Sequence, residues 1–140
     1  MPVSYFLDTN ILLYAYDQDA GSKREIAQRI LERAWQNSVR AIISVQVLQE
    51  FHVNFIRKGG PPDELSQIIE DLSLWRVVDN NLELFGLGLS IHGKYQISLW
   101  DAMIVAAAKK SEADQLLTED LNHGQDYGGV RIINPFEALQ

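Results

Sequence analysis

The chain has 140 residues, 46% of them hydrophobic, and a formal net charge of −7. That length supports one domain with a sizeable core spanning residues 1–140, and the apolar share argues against disorder. With no cysteine in the chain, disulfides and thiolate metal sites are excluded, and structural zinc or iron–sulfur roles lose their usual ligands.

Residues 3–7 are β-branched and aromatic and end at Asp8, which predicts a short buried strand. Asp8-Thr9-Asn10 offers N-cap chemistry for a short helix through Tyr16. Gly21-Ser22 opens a longer amphipathic helix with Ile26, Ile30, Leu31 and Ala34 on one face. Residues 41–44 form a second predicted strand. Ser44 then caps a helix that carries Val47, Leu48, Phe51 and Phe55 and closes at Gly59-Gly60.

Pro61-Pro62 suits the first turn of another helix, in which Leu65, Ile68, Ile69 and Leu72 recur with helical period. Residues 75–78 read as a third strand and Asp79-Asn80-Asn81 as a turn. A helix is predicted from Leu82 to about His92 despite Gly86 and Gly88. The clearest helix covers residues 99–111, whose alanines 102, 106 and 107 permit close packing. Residues 115–118 and 130–133 are two more strands, separated by a polar, glycine-containing loop over 119–129. Strands alternating with helices imply an α/β fold with a mostly parallel sheet between helical layers.

Four carboxylates stand out because each lies where an apolar run meets a turn or a helix start: Asp8, Glu50, Asp101 and Asp120. In open parallel sheets, functional groups gather beyond the carboxyl ends of the strands, and these acids can share that edge. Each also has a local role available. Asp8 can cap a helix, Asp101 lies three residues after Ser98 in a capping arrangement, Glu50 can be a solvated helix edge, and Asp120 can begin a turn. Gathered together, they would repel one another without a cation. Mg²⁺ and Mn²⁺ prefer such all-oxygen sites, and with four acids two ions about 4 Å apart become possible. Thr9, Asn10 and Thr118 are short polar neighbours able to orient the acids. His52, His92 and His123 have no metal-ligand spacing. Tyr14, Tyr16, Trp75 and Trp100 read as core or interface aromatics rather than base-stacking platforms.

Negative charge counts against a simple nucleic-acid binder, although a bound divalent cation inverts the local field. No run approaches the roughly 20 apolar residues of a membrane span. The first eight residues lack the basic segment and cleavage site of a signal peptide, so a cytoplasmic setting is expected.

Residues 5–14 (YFLDTNILLY), 44–51 (SVQVLQEF), 97–108 (ISLWDAMIVAAA) and 116–121 (LLTEDL), followed by residues 130–136, resemble the PIN-domain family. Within that family they are similar to the VapC-type ribonuclease toxins of bacterial toxin–antitoxin pairs. An opening of the Leu-Asp-Thr-Asn type is moderately specific; the four blocks in order are highly specific and extend over essentially the whole chain. The resemblance implies a three-layer α/β/α sandwich and Mg²⁺- or Mn²⁺-dependent endonucleolytic cleavage of RNA. It makes Asp8, Glu50 and Asp101 metal-binding catalytic acids and Asp120 the fourth, more variable one, with Glu119 and Asp126 as neighbouring alternatives. It also implies a homodimer and a cognate antitoxin over the active-site groove. A catalytically inactive binding or scaffold module of the same fold is the competing reading, and its signature would be a missing acid.

Overall fold

The computed structural model describes residues 2–137. Its elements are β1 (Ser4–Leu7), α1 (Thr9–Tyr16), α2 (Ser22–Trp35), β2 (Arg40–Ser44), α3 (Val45–Arg57) and α4 (Pro62–Leu72). They continue as β3 (Arg76–Val78), α5 (Leu82–Tyr95), α6 (Leu99–Lys110), β4 (Gln115–Leu117), β5 (Asp126–Tyr127) and β6 (Val130–Ile133). The six strands form one sheet in the order β3-β2-β1-β4-β6-β5. Every pairing is parallel except the last, β5 with β6.

This order explains the layers. From β1 the chain winds outwards to β2 and β3, then returns across the sheet to β4 and β6 on the other side of β1. Right-handed crossovers therefore put α1 to α4 on one face and α5 and α6 on the other. The winding direction reverses between β1 and β4, and the crevice beyond the carboxyl ends of such a strand pair is where α/β sheets take ligands.

The core follows from the apolar patterning. Phe6, Leu7, Ile11, Leu12, Ile43, Val47, Phe51, Leu72, Val105, Leu116 and Ile132 are all removed from solvent. α6 packs on β2, β4 and β6 and is itself covered by α5, so residues 102 to 108 are buried without interruption. Alanine makes that position possible, since its small side chain lets the helix axis approach both neighbours. No helix among the described residues is long and apolar enough to cross a membrane.

The predicted elements lie where the sequence patterns place them, with two corrections. The segment 119–129, expected to be a loop, contains β5, which pairs Asp126 with Arg131 and Tyr127 with Val130. The two connecting residues, Gly128 and Gly129, both have positive φ (63° and 102°). Two such residues make the tight turn whose twist suits an antiparallel hairpin. Gly-Gly was thus a hairpin signal, hidden because only two residues precede it in the strand. The helix expected to end near His92 runs on to Tyr95, where Gln96 in the left-handed conformation closes it.

The packing of α5 and α6 can be tested by a contrasting pair. A Cβ added at Gly86 meets nothing within 4 Å, so Gly86→Ala should stabilise the protein by about 0.5–1 kcal/mol through helix propensity. Ala107 is fully buried, so Ala107→Leu overpacks the interface and should cost about 1–3 kcal/mol. Urea unfolding of the two variants reads both signs.

Candidate active site

Asp8 is the residue after β1, and its placement is fixed by the sheet. Leu7 is in register with Leu117 of β4, and the Asp8 backbone N–H donates to the Leu117 carbonyl at 3.1 Å. The side chain caps α1, accepting from the Thr9 N–H at 2.7 Å on one oxygen. Its other oxygen accepts from the Thr118 hydroxyl, also at 2.7 Å. The cap expected from sequence is therefore real, and it coexists with a place in the cleft: Asp8 is only 6% exposed.

The other three acids arrive from different elements. Glu50 stands in the second turn of α3, Asp101 in the first turn of α6, and Asp120 shortly after β4. All four acids line one cleft of about 80 Å³, together with Thr9, Asn10, Gln46, Asn54, Trp100 and Ile104. Thr9 Oγ1 donates to Glu50 Oε1 at 3.1 Å, and Asn10 Nδ2 lies 3.3 Å from Asp120 Oδ2. The Thr118 hydroxyl that donates to Asp8 also accepts from the Asp120 N–H at 3.1 Å. Thr9, Asn10 and Thr118 thus each touch an acid, as their position in sequence suggested.

Two residues escaped the sequence reading. Gln46 and Asn54 lie four residues before and after Glu50, so helical spacing puts all three on one face of α3. Gln46 Nε2 donates across the layers to the Trp100 carbonyl at 3.2 Å and lies 3.5 Å from Glu50 Oε1. Of the two roles that the sequence left open for Trp100, core or interface, the structure removes the first: the residue is 67% exposed on the rim of the cleft. The histidines stay outside the cleft and exposed.

The alternatives to Asp120 are engaged elsewhere. Glu119 pairs with Lys23 at 2.8 Å and accepts from the Tyr14 hydroxyl. Asp126 accepts from the Gly129 N–H at 2.6 Å, holding the hairpin turn. Neither lines the cleft.

The electrostatics record the crowding of acids. Burial pushes the Asp8 carboxyl up to about 7; the Thr118 and Thr9 hydrogen bonds pull it down, and the charges of Asp120 and Glu50 push it further up. The exposed Asp120 carboxyl is also raised, by partial desolvation and then by Asp101 and Glu119. As the side chains stand, no three carboxylates or histidines among the described residues are arranged to hold a metal ion. Asp8, Glu50 and Asp120 face neutral donors instead. The donor set itself, carboxylates with amide and hydroxyl oxygens nearby, has the hard-oxygen character that Mg²⁺ or Mn²⁺ takes. Its mutual repulsion is what a cation relieves, so the residues fit such an ion.

Comparison with known proteins places this fold. A PIN domain family profile matches residues 5–125. The chain belongs to the PIN-domain family. A toxin–antitoxin complex from Klebsiella pneumoniae is similar at 23% identity and a TM-score of 0.69, over 95% of this chain and 98% of that one. DNA-bound VapBC from Salmonella typhimurium is 21% identical, with a TM-score of 0.68, over 93% of this chain and 96% of the other. VapC20 of Mycobacterium tuberculosis, a Sarcin-Ricin loop cleaving toxin, is 19% identical, with a TM-score of 0.62, over 83% and 91%. These likenesses establish the PIN fold. No curated protein matches the chain.

The raised Asp8 carboxyl has a stability consequence. Its folded pKa, about 7, lies above the ordinary 3.8, so between those values the folded state binds more protons than the unfolded one. Stability must then fall as pH rises through that window and level off above it. Between pH 5 and pH 8 the loss from Asp8 should be on the order of 3 kcal/mol. Asp8→Asn should lose less on going from pH 5 to pH 8 than the wild type does, in thermal unfolding with EDTA. A wild type whose curve matches that of the variant at both pH values would contradict the assignment.

Proposed function

We propose that the protein is a metal-dependent endoribonuclease that hydrolyses RNA phosphodiester bonds, the toxin of a toxin–antitoxin pair working in the cytoplasm as a homodimer. One observation carries this reading: Asp8, Glu50, Asp101 and Asp120, from four separate segments, line one cleft at the switch point of a PIN-family sheet. The description of VapC20 as a Sarcin-Ricin loop cleaving toxin supports RNA as the substrate class. The Klebsiella toxin–antitoxin complex, similar over nearly both full chains, supports a cognate antitoxin as partner.

In this reading the four acids hold Mg²⁺ or Mn²⁺. The bound ion supplies Lewis acidity to a phosphoryl oxygen and a water of lowered pKa for in-line attack. The chain's own contribution is orientation. Asp8 is clamped on both oxygens by Thr9 and Thr118, so its carboxylate cannot turn away from the cleft. Thr118 joins Asp8 to the backbone of Asp120, tying two acids to one hydroxyl. Thr9 and Asn10 steady Glu50 and Asp120 from the first turn of α1. A scaffold of the same fold would be recognised by loss of one of these acids, and all four are present.

Purified protein should cleave structured RNA with Mg²⁺ or Mn²⁺ and stop with EDTA. Asp8→Asn and Asp101→Asn should reduce cleavage to background. Thr118→Val, which leaves the acids in place, should cost about 10–100-fold. Equal cleavage by the wild type and both Asn variants would identify a contaminant and sink the proposal.

A further inference from the structure

Trp100 is the second residue of α6, immediately before Asp101. A tryptophan contributes one of the largest apolar surfaces of any side chain when packed, yet this one is 67% exposed. α6 does not need it for packing, because the buried run begins at Ala102. Nor is its position loose. Its carbonyl accepts from Gln46, which is 8% exposed and reaches over from α3. Ser98 caps the same turn by accepting from the Asp101 N–H at 3.0 Å. The backbone is held from two sides while the indole stands on the rim of the cleft, sharing its lining with Asp8, Glu50 and Asp101.

Charge makes the exposed ring more telling. Among the described residues lining the cleft there is no lysine or arginine. Lys23 and Lys58, on α2 and at the end of α3, are engaged with Glu119 at 2.8 Å and Asp17 at 3.6 Å. The whole chain carries −7. A nucleic acid drawn to this cleft meets no lysine or arginine in its lining, so side chains there do not supply the cationic contacts on which affinity usually rests. Stacking of a base on an aromatic face needs no charge, and is worth about 5- to 150-fold in affinity per base.

We propose that Trp100 is the base-stacking platform of the cleft, receiving an unpaired base of single-stranded or looped RNA beside the bond to be cut. The inference rests on the ribonuclease reading and goes beyond it. It names the contact that holds substrate and the form of RNA that fits, since a base can stack on a side chain only when it is free of its own helix. A protein segment could also cover an exposed indole. RNA is favoured because the ring shares its lining with the acids rather than standing on a separate face.

The test combines kinetics with intrinsic fluorescence. Trp35 and Trp75 stack on each other, with ring centroids 4.6 Å apart, and neither lines the cleft. The difference in emission between wild type and W100F therefore isolates Trp100. A short single-stranded RNA should quench the wild type, in EDTA or with Ca²⁺, and leave W100F emission largely unchanged. In steady-state cleavage with Mg²⁺ or Mn²⁺, W100A should raise KM about 5- to 150-fold with little change in kcat, and W100F should restore most of the loss. Unchanged KM in W100A together with no quenching would overturn the platform and leave the ribonuclease reading standing. Quenching by RNA without cleavage by the wild type would remove the ribonuclease reading and keep the platform. A lowered melting temperature with kcat and KM equally impaired would mean that Trp100 is structural. Loss of binding to a protein partner, with RNA kinetics intact, would make it a protein contact; either result overturns the proposal.

Discussion

A carboxylate buried at the end of the central strand is the constraint around which this molecule is arranged. Desolvating Asp8 is unfavourable, and the fold offsets that cost with a backbone N–H and a hydroxyl aimed at its two oxygens. Both donors depend on the sheet. Thr118 stands beside Asp8 because Leu7 pairs with Leu117; a slip of one residue would turn every side chain of β1 to the other face. The register of two short strands and the condition of the acid cleft are therefore one property.

The remaining acids depend on how closely the layers meet. Asp101 comes from the face of α5 and α6, and Glu50 from the face of α1 to α4. Gln46 joins the two by bonding the Trp100 carbonyl across the carboxyl edge of the sheet. The alanines of α6 keep that helix near the strands, which brings its first turn within reach of α3. Neutral hydroxyls and amides sit between the acids, so repulsion is spread over several hydrogen bonds instead of falling on one pair.

What could be read in the sequence was local. Asp8 after a β-branched run, Ser44 and Ser98 before apolar helices, and the alanine-rich stretch of α6 each carry their signal within a few residues. The convergence of Asp8, Glu50, Asp101 and Asp120 could be argued from the α/β pattern, since strand ends and helix starts share an edge. Contacts between layers were not legible. Gln46 reads as one polar residue on an amphipathic helix until its partner on α6 is known. Trp100 reads equally as core or interface, and only the packing of α6 shows that the buried face begins two residues later. Glu119 and Asp126 could not be separated from Asp120 by position, because what removes them is Lys23 in one case and a hairpin turn in the other.

The hairpin that interrupts the polar loop also matters at the margin of the sheet. β5 spans two residues and β3 three, so the sheet ends on both sides in strands too short to template a neighbour. Long, flat borders invite a second chain to continue the ladder; these do not. Continuation of the ladder from one copy into another is thereby disfavoured at both borders.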